Sequence, residues 1–161
     1  DDIMFVDFGC IYKHYFSDSG TTLAMNEPPD VVQQRFAALR ACINSGIAVA
    51  NPGGKASSVQ DAMSQSLATS GITASFPHGH GFGLEVRDYP IIVENNDLRI
   101  QDDCMDISSD IPMEVNMVIN LEASIYCPGA YSVHIEQSFI VTEHGSQPLV
   151  PQKRECPFQP T

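Results

Sequence analysis

The stretch MVINLEASIYCPGAYSVHIEQSFIVT, residues 117–142, decides the fold. It reads as two strands, MVINLEASIY and YSVHIEQSFIVT, parted by the turn-forming CPGA. Each strand carries one glutamate among apolar neighbours, Glu122 in the first and Glu136 in the second. Two other strand-like runs hold further ionisable groups. Asp7 and Asp18 lie in FVDFGCIYKHYFSD at 5–18, and His80 lies in HGHGFGLEV at 78–86. A single acid in a strand is usually a surface residue. Four carboxylates and one imidazole together suit a pair of hard or borderline divalent cations that would activate a water between them.

The rest of the chain gives this site a setting. Its 161 residues are 43% hydrophobic and 17% charged, the composition of one globular domain spanning 1–161. Eight basic against 20 acidic residues give a formal charge of −12, which repels nucleic acid and anionic membrane. No run of 18 apolar residues is present, so no membrane span is expected. Five cysteines, Cys10, Cys42, Cys104, Cys127 and Cys156, form no CxxC pair. Their odd number points to free thiols filling core space and to a reducing, cytoplasmic location. The chain opens on Asp1 inside a strand-like run, so an upstream segment is expected before it.

Along the chain, IMFVDF and IYKHYF read as two strands around Gly9, followed by a polar stretch SDSGTT. Tyr12, Tyr15 and Phe16 are expected in the core. Asp30 is placed as the N-cap of a helix whose buried face carries Val32, Phe36, Leu39, Ile43 and Ile47, ended by NPGGK at 51–55. A second helix runs from about Val59 to Thr69, capped by Ser57 or Ser58 and closed by Gly71. A strand PIIVE follows. Residues 95–112 read as a long polar surface loop with room for one short strand, and the Pro-rich tail PLVPQKRECPFQPT reads as extended.

Spacing and flanks resemble the pita-bread metallopeptidases, the family of methionine aminopeptidase, aminopeptidase P and prolidase. Asp7, Gly9 and, eleven residues after Asp7, Asp18 match the aspartate segment. Gly79, His80, Gly81, Gly83, Leu84 and Val86 match the metal-histidine segment. Met117, Val118, Glu122, Tyr126, Pro128 and Gly129 match the first glutamate strand, and Ile135, Glu136, Val141, Thr142 and Gly145 match the last. The resemblance covers nearly all of this chain but only the later, C-terminal portion of the family's catalytic domain.

It implies an α+β fold, a curved mixed, mostly antiparallel sheet flanked by helices, with the site in its concavity. It also implies two divalent metal ions, Mn, Co, Zn or Fe, with Asp7 on one, Asp18 and Glu136 bridging, and His80 and Glu122 completing the other. The activity implied is metal-dependent hydrolysis of a peptide or small amide of the Xaa-Pro class. Glu122 would shuttle the proton, and a homodimer is a possible assembly.

Four positions depart from the family. Arg87 stands seven residues after His80, where the peptidases carry a substrate-contacting histidine. Phe76 replaces a histidine, although His78 lies two residues before His80. His134 stands where an arginine is usual, two before Glu136 and so on the same strand face. Ala123 replaces a proline, and the interval from His80 to Glu122 is longer than usual. Arg87 is read either as an anchor for a substrate carboxylate or as a structural ion pair with Asp88 or a nearby acid. His78 is a pocket candidate or a turn residue. His134 is a partner of the site or a core histidine, while His14 and His144 read as surface. Competing readings are a small-molecule hydrolase or lyase on the same site, and a catalytically inactive binding relative.

Overall fold

Alternation along residues 118–142 splits two long strands into two unlike faces. In the computed structural model, which describes residues 2–73 and 75–151, the elements in chain order are as follows. Strands β1 (Ile3–Phe8), β2 (Ile11–Tyr12), β3 (Tyr15–Phe16) and β4 (Ser19–Ala24) come first, then helices α1 (Asp30–Val49) and α2 (Ala56–Thr69). Strands β5 (His78–Gly81), β6 (Asp88–Ile92), β7 (Arg99–Asp102), β8 (Met105–Ser108), β9 (Val118–Cys127), β10 (Tyr131–Thr142) and β11 (Gly145–Pro148) complete the chain. The main sheet has the order β11-β10-β9-β5-β6, and every strand pairing among the described residues is antiparallel.

One face of β9 and β10 presents Ile119, Leu121, Ala123, Val133, Ile135 and Phe139, all fully or almost fully buried. Against it pack Val32, Phe36, Leu39 and Ile43 of α1, with Val59, Met63 and Leu67 of α2 behind. Ile47 is only partly buried. At Gly46 an added Cβ would fall 2.7 Å from Leu121 Cδ1 and 2.8 Å from Met63 Cγ, so glycine lets α1 approach sheet and α2 together. The other face carries Asn120, Glu122, His134 and Glu136, and it is buried too. Its cover is the β1–β4 hairpin. Thr22 of β4 donates its hydroxyl to the His134 carbonyl at 2.9 Å and accepts the His134 N–H at 2.8 Å. The side chain thus takes the place of a backbone neighbour.

Several local expectations change. IYKHYF is not one strand but a tight hairpin, β2–β3, turning at Lys13 and His14, both at positive φ. That backbone twist suits a two-residue hairpin, though neither residue announces it. Tyr12 and Tyr15 are exposed and Phe16 is only half-buried, contrary to a core role. Part of the polar stretch becomes β4, because β1 offers it a full ladder from Ile3↔Ala24 to Phe8↔Ser19. The 95–112 segment holds a two-stranded hairpin, β7–β8. Cys42 is buried and Cys127 half-buried, but Cys10 and Cys104 are exposed rather than core fillers. The tail from residue 152 onward, including Cys156, lies outside the described residues.

Helix starts also differ. Asp30 is the first residue of α1, after Pro29. Helix α2 begins three residues earlier than expected, and Ser57 is capped rather than capping. Asp110, 53 residues away, accepts the Ser57 N–H at 2.9 Å and its hydroxyl at 2.8 Å. A buried carboxylate so placed satisfies an orphan amide and faces the positive end of the helix. Replacing Asp110 with Ala should cost about 1–3 kcal/mol of stability, and Asp110→Asn about half that. Urea midpoints would show this as a shift at unchanged slope, and equal losses in the two variants would contradict it.

Candidate metal centre

The sheet register brings the two glutamates face to face: Glu122 and Glu136 are direct cross-strand partners. On the next strand His78 lies opposite Glu122 and His80 opposite Asn120. Polar residues at alternate positions of β5, β9 and β10 therefore converge on one patch. A register irregularity between His80 and Gly81 bends β5 there, as bulges often do where a side chain must be re-aimed. On the covering hairpin, Asp7 pairs with Gly20. The Asp18 carbonyl is pinned by the Ser138 hydroxyl at 2.8 Å.

All five candidate ligands lie in one chain of contacts. His80 Nε2 is 3.3 Å from Asp18 Oδ2 and 3.8 Å from Glu122 Oε1. Asp18 shares a side-chain hydrogen bond with Glu136. Ligand atoms of Asp7, His134 and Glu136 all lie within 4.8 Å of one another. The departures fall on the same cluster. His78 Nε2 and Arg87 Nη2 both contact Glu122 Oε1, at 2.9 and 3.0 Å. Arg87 is thus paired with Glu122 rather than Asp88, with 60% of its side chain still exposed. His134 Nε2 is 2.8 Å from Glu136 Oε1. Phe76 is exposed and stacks on the His78 ring. His14 and His144 are at the surface.

Hydrogen-bond partners constrain the imidazoles. The Gly81 carbonyl lies 3.0 Å from His80 Nδ1, and a carbonyl only accepts, so Nδ1 carries a proton and Nε2 is the nitrogen that faces Asp18 and Glu122. His78 has an acceptor at each end, the Phe76 carbonyl at 3.1 Å and Glu122. It is satisfied only as the imidazolium, and the Glu122 hydrogen bond does raise its pKa.

The carboxylates divide in the same way. Burial alone would raise Glu122, but His78 and Arg87 hold it below the ordinary range. Asp18 goes the other way, pushed up to about 6 by burial and by the neighbouring Glu136. Asp7 is raised by the same two causes. Such crowded acids, with one imidazole nitrogen aimed among them, fit divalent cations by charge and by donor type.

Sequence reasoning missed the supporting polar groups. Asn120 donates to Glu136 Oε2 at 3.2 Å, the Ser138 hydroxyl also reaches Asn120 at 3.2 Å, and Ser124 lies 2.7 Å from His134 Nδ1. Each sits two residues from a glutamate, and that spacing was a usable signal. Gly20 and Thr22 carried none, because their role arises only when β4 docks on β10.

This architecture, an antiparallel sheet with helices on one face and a carboxylate–imidazole cluster on the other, is that of the pita-bread fold. Residues 1–143 match metallopeptidase family M24, and the chain belongs to that family. It is 35% identical over 161 residues to a probable dipeptidase, PepE, of Mycobacterium tuberculosis, covering 98% of this chain and 38% of that protein. It is 28% identical over 162 residues to a Xaa-Pro dipeptidase of Lactobacillus delbrueckii, covering 99% of this chain and 40% of that protein. The prolidase structure from Pyrococcus furiosus superposes with a TM-score of 0.80 at 26% identity, over 94% of this chain and 42% of that one. The chain thus spans about 40% of the length of the relatives it matches. No helix among the described residues is long and apolar enough to cross a membrane.

The charge pattern predicts how the metal-free protein responds to pH. Asp18, Asp7 and His78 all have raised pKa values, so each adds stability below its unfolded value and loses it as pH rises through its folded one. Glu122, being lowered, opposes them only near and below its ordinary range. With a chelator present, the urea midpoint should rise on acidification from about pH 7.5 to about pH 5 and fall only below about pH 4. A midpoint that falls steadily from neutrality would contradict this assignment.

Proposed function

We propose that this chain carries the metal-binding part of a dinuclear hydrolase acting on Xaa-Pro dipeptides. The observation supporting it is the convergence of Asp7 and Asp18, from the covering hairpin, with the buried His80, Glu122 and Glu136 of the main sheet in an M24 chain. The names of its relatives, Xaa-Pro dipeptidase and prolidase, support the substrate class. Asp7, Asp18, His80, Glu122 and Glu136 would hold two cations, with manganese, cobalt, zinc and iron all compatible with these donors. Bound there, the ions supply an activated water and polarise the scissile carbonyl.

The chain's own residues do the rest. Glu122 faces the site as proton carrier, its orientation set by His78 and Arg87 on Oε1. A cavity of about 550 Å³, lined by Phe8, Phe16, Phe82 and Leu149, opens on Asp18 and Glu136 and suits an apolar substrate portion. Arg87 keeps guanidinium surface open to solvent, so it can also grip the dipeptide's free carboxylate. Free thiols at Cys10, Cys42, Cys104 and Cys127 support a reducing, cytoplasmic setting.

Proline release from Xaa-Pro dipeptides by the manganese-loaded protein tests the reading. Asp18→Asn and Glu136→Gln should each lower kcat/KM by on the order of 10³-fold. Full turnover of non-peptide amides with none of the dipeptides would favour the small-molecule alternative. Arg87→Ala should raise KM about tenfold or more for dipeptides with a free carboxylate, and much less for their C-terminal amides. Equal effects on both would reduce Arg87 to a partner of Glu122 alone.

A further inference from the structure

We infer that His134 is itself a metal ligand, its Nε2 joining Asp7 and Glu136 to form a three-residue cradle for one of the two cations. This rests on the metal-site reading above and adds a second imidazole to it, at a position where the family pattern leads one to expect arginine. An arginine has no lone pair to offer a cation, so the exchange changes the chemistry of the site and not merely its packing.

Four observations carry it. Ligand atoms of Asp7, His134 and Glu136 lie within 4.8 Å of one another. Ions of this kind bind such ligands at about 2.0–2.2 Å, so a small contraction closes the set around one ion. Second, Ser124 Oγ sits 2.7 Å from His134 Nδ1. Without an ion, Nε2 donates to Glu136 Oε1 at 2.8 Å. The hydroxyl can accept as well as donate, so the ring can carry its proton on Nδ1 when a cation takes the place of the Nε2 proton. His80 repeats this arrangement, with Gly81 O on Nδ1 and Nε2 turned to Asp18.

Third, residue 20 comes so close to Nε2 that it must lack a side chain. A Cβ on Gly20 would fall 2.6 Å from His134 Nε2 and 2.9 Å from the Glu136 carboxyl carbon. Fourth, the imidazole is held from several sides. Thr22 bonds both backbone groups of residue 134, and the Phe5 ring lies 5.5 Å from the imidazole, centroid to centroid. A pre-set ring whose Nε2 faces an acidic pair, with no side chain at residue 20 to crowd it, is a ligand arrangement.

The reading predicts two ligating imidazoles, each with its Nδ1–H held by a hydrogen bond. In the cobalt-loaded protein, proton NMR should show two hyperfine-shifted, exchangeable imidazole N–H resonances. His134→Gln should remove one and His80→Gln the other. Calorimetry with Mn²⁺ should show one of two sites weakened by roughly 10–100-fold or more in His134→Gln, with the other retained. Gly20→Ala, which keeps both imidazoles, should weaken the same site.

One shifted resonance in the unsubstituted protein, belonging to His80, overturns the inference while leaving the metal-site reading intact, and that spectrum decides even if His134→Gln fails to fold. Unchanged two-site Mn²⁺ binding in a folded His134→Gln has the same consequence. Failure of the unsubstituted protein to bind Mn²⁺ or Co²⁺ at all overturns the metal-site reading, and this inference with it.

Discussion

Two glutamates stand directly opposite each other on neighbouring strands, and the site is organised around that repulsion. Like charges at cross-strand positions destabilise a sheet, yet Glu122 and Glu136 are paired in the β9–β10 register and both are buried. Each has its own neutralising company. Glu122 takes the cationic side, with His78 and Arg87 on one oxygen. Glu136 is bonded by Asn120 and His134, and also meets Asp18. The first arrangement balances charge within the protein. The second leaves excess negative charge, seen in the raised Asp18 and Asp7, which a bound cation would relieve.

Burial of this polar face depends on the β1–β4 hairpin, which also brings two further acids to it. Asp7 comes in on β1 and Asp18 just before β4, while Thr22 fastens the hairpin to the backbone of residue 134. Docking the hairpin and assembling the site are therefore one event. On the far side, the apolar alternates of the same strands bury under α1 and α2. A single run of alternating residues thus serves as core on one face and as site on the other.

Much of this was legible. Strong period-two runs gave β9 and β10, and a helical stripe at Val32, Phe36, Leu39 and Ile43 gave α1, since burial of one face imposes those periods. The candidate ligands stood out because acids and a histidine interrupted apolar strands, and the structure brings all five into contact. What was hidden depends on partners distant in the chain. Strand β4 has the composition of a loop and is a strand because β1 lies beside it. The turn at Lys13 and His14 uses positive φ without a glycine. Asp110 caps α2 across 53 residues, and no local pattern of serines could show that the cap comes from outside. Arg87 looked able to pair with its neighbour Asp88, but the chain path after His80 turns it back onto Glu122.

The departures from the family pattern sort by carboxylate rather than by sequence neighbourhood. His78 and Arg87 both act on Glu122, so that a histidine two residues before His80 and an arginine seven after it serve one oxygen. His134, Ser124 and Gly20 act on Glu136: one contacts it, one orients the first, and the last leaves room for both. Neither group is interpretable residue by residue. His78 and Arg87 around one glutamate, and His134 with Ser124 and Gly20 around the other, are two local arrangements that answer one problem, that of opposing two glutamates inside a sheet.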